Sequence, residues 1–541
     1  LYMCEKYLKP GDCILELFSL HFLLFLAASL AAYHVVGHFA RKYAWLVLLA
    51  ASLAFYCLVG RWQTLAYMLA CAAVTWTAPL ALARMDARCK EERAAAPDRA
   101  ARRAVKAAWA RRRRAVLVAS LLACFGILAY LKYWNVLLYE VGLAASPTSL
   151  GLLLPLGISF YTFQSVSYVV DAYNGRFEPQ GNFLKHLLFV SWFPQVIQGP
   201  INRYADLGPQ LLEGHSAKGV PVRRSLLRFG YGALKKYAIA NMLVGTIDKI
   251  FSNVTPDIPG SVVVFGILLY SAQQYGDFSG GIDMVEAASS LFGVDMAENF
   301  RRPYFSVSLA DFWRRWHITL GTWMRDYVFF PFAVSRPMRA LGARASRLGE
   351  HLGRTLPACV ANLLVFLVVG LWHGAEPHYV AWGLYNGVVI ALADLLAPAF
   401  RRANAALRVD TGSRAHRVFC VARTFLVVNV GWYFDRIYDF GDSLLCLRNT
   451  LTNFAPQQFF LWLAQVGVRD SDLKFMVFTA VACAFVFVVS LLQENDVDVD
   501  GHILRWNCVV RGLFYSAVLG LIVITSFLTQ NAAGGFMYAN F

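Results

Sequence analysis

The chain has 541 residues, of which 58% are hydrophobic and 16% charged, and its formal net charge is +16 at pH 7. About a quarter of the residues in a soluble globular protein are charged, so this composition excludes an ordinary soluble enzyme. Nucleic-acid binding is excluded as well, because no recognised binding motif accompanies the basic residues, which cluster in short loops between apolar stretches.

Repeated apolar stretches predict the fold class. A helix needs about 20 mostly apolar residues to cross the hydrocarbon core of a bilayer. The predicted class is therefore all-α, a polytopic membrane protein with about eleven to thirteen transmembrane helices. The predicted spans lie near 15–36, 43–60, 65–83, 115–136, 148–171, 183–199, 226–250, 260–275, 356–396 as a pair, 417–435, 473–493 and 509–530.

The most basic stretch, 84–114, follows the third predicted span and consists mainly of alanine and arginine. Its charge places it in the cytoplasm, and three preceding spans then place the N-terminus outside the cell. A solvated helix that fixes the topology explains this stretch most simply. Binding of an acidic cytoplasmic carrier is the alternative.

Between the fifth and sixth predicted spans the chain becomes irregular. The stretch FPQVIQGPINRY at 193–204 places Pro194, Gly199 and Pro200 around Gln195 and Gln198. Two prolines this close break a regular helix. Irregular backbone at membrane depth is tolerated only where it is buried in protein or lines a cavity. The stretch is therefore either a re-entrant segment or a loop at a pocket.

Ionisable and aromatic groups concentrate between residues 275 and 326 and again in GLWHG at 370–374. Ionisable groups are expensive inside a membrane, so they are candidate functional residues. Asp283 and Glu286 share one helix face, but a structural role explains these acids and Asp277 better than a two-carboxylate active site. That role is either pairing with nearby arginines or helix capping. Arg314, Arg315 and Arg325 are candidates for binding phosphate groups of a donor, because arginine makes two-pronged contacts to phosphate.

Two histidines stand out in these stretches. His373 lies between Gly370 and Gly374, and a neutral imidazole there is able to take a proton from an attacking hydroxyl. From the residues alone, a hydrogen-bonded packing role is the more common explanation of a lone histidine on an apolar span. His317 lies in DFWRRWHITL, where tryptophans and arginines alternate, and an interfacial helix with aromatic anchors is the alternative to a catalytic role.

No metal site is predicted, because the eleven cysteines are scattered and form no C-x-x-C pair. The chain ends in GGFMYANF at 534–541, where Tyr538 is either an aromatic interfacial anchor or a nucleophile. No H-E-x-x-H, G-x-S-x-G, phosphate-binding loop or dinucleotide fingerprint occurs, so the motifs of soluble hydrolases and nucleotide-binding enzymes are absent from the sequence.

Several motifs in the same order resemble the membrane-bound O-acyltransferase (MBOAT) family, in particular the bacterial branch that acylates cell-surface polymers. The resemblance covers about 150–400. It rests on LPLGISFYTFQSVSYVVDAY (154–173), FPQVIQGPINRY (193–204), DFSGGIDM (277–284), ENFRRPY (298–304), DFWRRWHITL (311–320), MRDYVFFP (324–331) and GLWHG (370–374).

The resemblance implies roles for individual residues. His373 is the expected general base, His317 orients donor or acceptor, and Tyr538 carries the acyl group as a phenol ester. A central passage through the bundle is expected to bring donor and acceptor together. The expected donor- and acceptor-binding residues are Arg314, Arg315, Trp316, Arg325, Asp277, Asp283, Asn299, Gln195 and Trp372.

The resemblance also implies the division of the chain, its location and its partners. We expect N-terminal spans with the basic segment at 1–114, a catalytic core at 115–400, and C-terminal spans with the tyrosine tail at 401–541. The protein is expected in the bacterial cytoplasmic (inner) membrane, with lipids around it. No cofactor is expected to be bound permanently, and acetyl-coenzyme A (acetyl-CoA) or a carrier-protein thioester is the expected acyl donor.

The expected reaction is O-acetylation of a surface polysaccharide or peptidoglycan, completed by an extracytoplasmic SGNH-type acyltransferase. Two alternatives remain open. The first is D-alanyl transfer to teichoic acids from a cytoplasmic acyl carrier, although the relay tyrosine of that system usually lies on a separate small protein. The second is a non-catalytic membrane transporter, which would leave both histidine motifs unexplained.

Overall fold

The computed structural model describes residues 20–59, 62–143, 155–252, 254–374 and 376–529. Throughout these ranges the regular secondary structure is helical, without β-strands. The first helices are α1 (Leu20–Ala40), α2 (Ala44–Val59), α3 (Leu65–Ala95), α4 (Arg99–Glu140), α5 (Ile158–Tyr173), α6 (Phe183–Ser191), α7 (Phe193–Gln198) and α8 (Tyr204–Glu213).

The middle of the chain forms α9 (Val222–Leu234), α10 (Met242–Phe251), α11 (Gly260–Ser290), α12 (Leu309–Arg315), α13 (Ile318–Met324), α14 (Phe330–Ala333), α15 (Arg336–Ala345), α16 (Glu350–His373) and α17 (Pro377–Leu395). The last helices are α18 (Ala397–Ala406), α19 (Arg414–Arg436), α20 (Phe440–Thr452), α21 (Phe459–Gln465), α22 (Asp470–Glu494), α23 (Val499–Arg505) and α24 (Cys508–Leu528).

The described residues form two compact units, the first made of 20–226 and 285–297 and the second of 227–284 and 298–529. In the first unit, α1 folds back on α2, because Phe22 and Phe25 of α1 contact Phe55 of α2 with ring centroids 6.1 and 5.8 Å apart. Leu20–Val59 is therefore an antiparallel pair.

A longer hairpin follows in the first unit. α3 has 31 residues and α4 has 42, which at 1.5 Å per residue gives lengths of about 46 and 63 Å. Both exceed the hydrocarbon thickness of about 30 Å, so their charged ends project beyond it. Pro97 and Asp98 separate the helices, and the Asp98 carboxylate caps α4 by accepting from the Ala101 N–H at 2.7 Å.

The second unit contains the long helices that follow residue 226. A π-helical segment, Lys235–Asn241, separates α9 from α10. Later in the chain, α16 and α17 pack closely against each other. A Cβ atom on Gly383 would lie 2.3 Å from the Phe366 carbonyl oxygen, and one on Gly370 would lie 2.5 Å from that of Tyr379. Glycine at these two positions therefore sets the spacing of the two helices.

Among the described residues, seven helical stretches are long and apolar enough to cross a membrane, or eight if the bent pair α17–α18 counts as one span. The prediction of an all-α multi-pass membrane protein is confirmed. This number counts the antiparallel pair Leu20–Val59 as one stretch, and it leaves out predicted spans that contain helix breaks. The stretch 183–199 divides at Trp192 into α6 and α7, and 226–250 contains the π-helical segment with buried Lys235 and Lys236.

Candidate active site

His317 lies in a sharp turn between α12 and α13 in the second unit. Its φ is +46°, in the left-handed region that non-glycine residues rarely adopt. A second strained residue, Arg302, has a φ of +47°. The two segments are held together by backbone hydrogen bonds from the Arg301 N–H to the Arg315 carbonyl at 2.8 Å and from the Ile318 N–H to the Asn299 carbonyl at 3.0 Å.

The Asn299 side chain determines the tautomer of His317. Asn299 Oδ1 accepts hydrogen bonds from the Thr319 backbone N–H at 3.1 Å and from the Thr319 hydroxyl at 2.9 Å. A backbone N–H is always a donor, so the amide atom at this position is the oxygen. The same oxygen lies 3.1 Å from His317 Nδ1, which must therefore donate. The lone pair of the neutral ring is then on Nε2.

The charge state of His317 follows from its surroundings. The side chain is buried, and burial lowers its pKa to about 3 because it disfavours the imidazolium. The ring contacts Phe278 with centroids 4.8 Å apart. At neutral pH His317 is therefore a neutral imidazole whose Nε2 is able to accept a proton or a hydrogen bond.

His373 is the last residue of α16 and is also buried. Its ring lies 4.8 Å from the Trp382 ring, 5.7 Å from the Tyr379 ring and 4.9 Å from the Trp372 ring, measured between centroids. These distances are typical of aromatic packing in protein interiors. The imidazole is thus enclosed by protein side chains of α16 and α17.

Trp372 connects the two histidines. Its ring centroid is 6.3 Å from that of His317 and 4.9 Å from that of His373. A hydrogen bond from Trp313 Nε1 to Asn386 Oδ1, 3.0 Å long, fixes α12 to α17. The fold therefore brings together His317, Trp372 and Asn299 from the candidate residues, and the Trp372 ring also contacts that of His373.

The two candidate aspartates of α11 form ion pairs within the second unit. Asp277 Oδ1 lies 2.5 Å from Lys236 Nζ. Asp283 accepts from Lys235 Nζ at 2.5 Å and from Arg228 Nε at 3.0 Å. These contacts join α11 to α9 and to the π-helical segment. The lysine partners were not identified from the sequence, where arginines were the expected partners.

The candidate arginines differ in their surroundings. Arg315 is mostly buried and contacts Asp311 Oδ2 at 3.2 Å and Glu494 Oε2 at 3.0 Å. Arg314 and Arg325 are exposed, each beside one acid, Asp311 and Asp326 respectively. The solvent exposure of Arg314 and Arg325 leaves their guanidinium groups accessible to a charged ligand.

Trp316, which directly precedes His317, is buried among aromatic side chains. Its ring stacks on Phe312 with centroids 5.4 Å apart and lies 5.7 Å from Trp432. Trp316 therefore anchors the turn that carries His317.

Gln195 belongs to the first unit, where α7 ends and irregular backbone begins. Its Oε1 accepts from Asn202 Nδ2 at 3.1 Å, and Asn202 Oδ1 accepts from the Ala297 N–H at 2.8 Å. The predicted break in the helix at 193–204 is present, because α7 ends at Gln198 before Gly199 and Pro200. Tyr538 lies outside the described residues.

Three contributors to the site were missed from the sequence. Thr319 and Asn386 are ordinary polar residues on helices, and only their partners Asn299 and Trp313 give them a role. Glu494 ends a long apolar stretch, where a single acid is a weak signal.

Comparisons with known proteins identify the family of the chain. The profile described as "MBOAT, membrane-bound O-acyltransferase family" matches residues 180–345, which include His317. A Pseudomonas putida protein named "Probable alginate O-acetylase AlgI" is 34% identical over 371 residues, covering 64% of this chain and 70% of the relative. The chain belongs to the MBOAT family. Membership confirms the predicted family.

Two further relatives carry other names. A Helicobacter pylori protein named "Peptidoglycan O-acetyltransferase" is 26% identical over 465 residues, covering 79% of this chain and 83% of the relative. A Bacillus subtilis protein named "Teichoic acid D-alanyltransferase" is 27% identical over 289 residues, covering 51% and 67%. The matches to five alginate O-acetylases span between 49% and 70% of those relatives' lengths.

Proposed function

We propose that this MBOAT protein takes an acyl group, in the first instance acetyl, from a cytoplasmic thioester and passes it across the membrane for O-acylation of a surface polysaccharide or peptidoglycan. The names of the alginate and peptidoglycan relatives support acetyl as the group and a surface polymer as the final acceptor. The bacterial relatives support a location in the bacterial cytoplasmic membrane.

One observation carries the proposal. The Trp372 ring lies near two buried imidazoles, with its centroid 6.3 Å from that of His317 and 4.9 Å from that of His373. Buried ionisable groups cost folding free energy, and groups with perturbed protonation are concentrated at functional sites. A non-catalytic transporter would need neither histidine.

The proposed chemistry assigns the proton transfer to His373. His373 takes the proton of the acceptor hydroxyl as its oxygen bonds to the thioester carbonyl carbon. The tetrahedral intermediate then collapses, the carbon–sulfur bond breaks, and the thiolate receives the proton from the imidazolium. His317, neutral and with its lone pair on Nε2, accepts a hydrogen bond that orients one of the reactants.

The acceptor and the donor complete the proposal. The Tyr538 phenol is the first acceptor, since its ester has a leaving group with a pKa near 10 and remains activated for a second transfer. An extracytoplasmic SGNH-type acyltransferase would carry out that transfer. Arg314 and Arg325, exposed beside single acids, are the residues proposed to attract the donor phosphates.

D-alanyl transfer is the second candidate function, favoured by the match to a protein named teichoic acid D-alanyltransferase. The donor would then be a D-alanyl thioester on a carrier protein. The same histidines would serve it, because the reaction at the carbonyl carbon is identical.

The experiment is covalent labelling of the purified protein in nanodiscs. Acetyl-CoA labelled in the acetyl group, or a labelled D-alanyl carrier protein, is added, and acyl transfer to the protein is followed by mass spectrometry. We expect label from acetyl-CoA on Tyr538, and none on the Tyr538→Phe variant. His373→Ala should slow labelling by about 100-fold or more, the range of a lost general base.

His351→Ala is the matched control, because His351 lies at the opposite end of α16 and its Nε2 contacts the Leu395 carbonyl at 3.3 Å. Its labelling rate should equal that of the wild-type protein. Label from the D-alanyl carrier alone would select the second candidate function. Wild-type rates in His373→Ala would refute the role of His373, and label persisting in Tyr538→Phe would refute the relay.

A further inference from the structure

Glu494, the last residue of α22, lies at the centre of three arginines. Its carboxylate accepts hydrogen bonds from Arg302 Nε at 2.8 Å, from Arg315 Nη1 at 3.0 and 3.1 Å, and from Arg417 Nη2 at 2.9 Å. The Glu494 side chain is only 9% exposed, whereas that of Arg417 is 60% exposed. The contacts of Glu494 to Arg302 and Arg315, the two inner arginines, are therefore better shielded from solvent than its contact to Arg417.

The inner arginines flank the turn that carries His317. Arg302 follows the segment with Asn299, and Arg315 precedes His317 by two residues. Backbone hydrogen bonds join these segments on both sides of the histidine, from Arg301 to Arg315 and from Ile318 to Asn299. The Glu494 carboxylate therefore links the segment that contains Arg302 to the segment that contains Arg315 and His317.

The turn needs such support. Arg302 and His317 both have positive φ angles, and a left-handed conformation is unfavourable for residues with a side chain. Strained residues of this kind persist only where the surrounding structure enforces them. Without the carboxylate, Arg302 would lose this ion pair and Arg315 would keep only its contact to Asp311 Oδ2 at 3.2 Å, so repulsion between the two guanidinium groups would favour separation of the two segments.

We propose that Glu494 is a positioning residue for His317. It holds the Arg302 and Arg315 segments in the register that places Asn299 Oδ1 on His317 Nδ1, and so keeps the lone pair of the ring on Nε2. Glu494 touches neither reactant and acts through the two arginines. Its catalytic consequence rests on the proposed acyl-transfer function, but its effect on the geometry of His317 does not.

The test combines acyl-transfer kinetics with chemical modification of His317 by diethyl pyrocarbonate, read by mass spectrometry on the full-length protein in nanodiscs. In Glu494→Gln we expect kcat to fall about 10- to 100-fold, the loss that follows small displacements of catalytic groups. KM should change little. Modification of His317, which is 3% exposed in the wild type, should become several times faster.

Two variants separate positioning from general destabilisation of α22. Glu494→Asp keeps the charge and should recover most of both properties. Asp472→Asn removes the 2.7 Å contact to Lys249 at the opposite end of the same helix and should leave both at wild-type values. An equal effect of Asp472→Asn would overturn the proposal, as would an unchanged rate of His317 modification in Glu494→Gln.

The proposal can still be tested if the Glu494→Gln variant does not fold or if the wild-type protein shows no acyl transfer. Should Glu494→Gln not yield folded protein, Arg302→Lys is measured instead, since it keeps the charge but loses the guanidinium geometry. Faster modification of His317 in that variant supports the proposal, and an unchanged rate overturns it. Should the wild-type protein transfer no acyl group, the proposed function fails, while the modification rates still decide the role of Glu494.

Discussion

His317 shows how a few neighbouring atoms define the properties of one side chain. Burial makes the ring neutral, and a backbone N–H acting through the Asn299 amide determines which nitrogen carries the proton. Neither property belongs to histidine as such, because an exposed histidine titrates near neutral pH and exchanges between tautomers. The site therefore contains a base whose protonation is set before any substrate arrives.

The lowered pKa predicts how stability changes with pH. Between pH 6.5 and pH 3 the unfolded chain binds a proton at His317 that the folded chain does not bind, so this group destabilises the fold increasingly as the pH falls. The slope is at most about 1.4 kcal/mol per pH unit. In thermal unfolding of detergent-solubilised protein, the Tm of His317→Gln should fall less than that of the wild type between pH 6.5 and 4.5. Parallel curves would contradict the prediction.

At the scale of elements, the closeness of α16 and α17 positions His373. Gly370 lies one turn before His373, and the backbone of Tyr379 on α17 occupies the space that a larger residue would need. Tyr379 and Trp382 of the same helix enclose the His373 ring. The spacing between α16 and α17 therefore also sets how closely Tyr379 and Trp382 surround the His373 ring.

Gly370→Ala tests this coupling. The new methyl group would lie 2.5 Å from the Tyr379 carbonyl oxygen, so the helices must separate. We expect a loss of about 1–3 kcal/mol in stability, typical of overpacking, and a reduced acyl-transfer rate. Both are measured on purified protein, by thermal unfolding and by the labelling assay.

Gly520→Ala is the matched control in the same assays. Gly520 lies within α24, and a methyl group there meets nothing within 4 Å. Because alanine favours helices over glycine by roughly 0.5–1 kcal/mol, this variant should be as stable as the wild type or slightly more so. Equal losses in both variants would show that the α16–α17 contact has no special importance.

At the scale of the whole molecule, charge predicts orientation. The segment 84–114 contains twelve lysines and arginines and four acids, and the structure places it at the projecting end of the α3–α4 hairpin. Basic segments near spans remain in the cytoplasm. The donor thioester is proposed to arrive from that same side.

A cysteine at the tip of this hairpin tests the orientation. In Ala100→Cys, a membrane-impermeant maleimide should label position 100 in permeabilised spheroplasts and not in intact ones, with the labelled position identified by mass spectrometry. Ala100 is exposed beside the Asp98 cap, so the substitution should not disturb the helix. Labelling in intact spheroplasts would reverse the proposed direction of transfer.

The sequence by itself determined the membrane class, the helical fold and the family, because apolar stretches and ordered motifs are local properties of the chain. It also singled out both histidines. It did not locate the breaks at Trp192 and at Lys235–Asn241, because these breaks depend on packing and not on hydropathy. The proposed three-part division remains a prediction. The described residues form two compact units, and the chain passes between them after residues 226, 284 and 297.

Only the tertiary structure decided which polar groups meet. Asp277 pairs with Lys236, 41 positions away, and Glu494 meets Arg302 across 192 positions. A single sequence does not encode such pairings in any local pattern, because they arise when helices that are distant along the chain pack side by side. The tautomer of His317 likewise depends on the tertiary structure, because it follows from a hydrogen bond to Asn299 that exists only once the turn has formed.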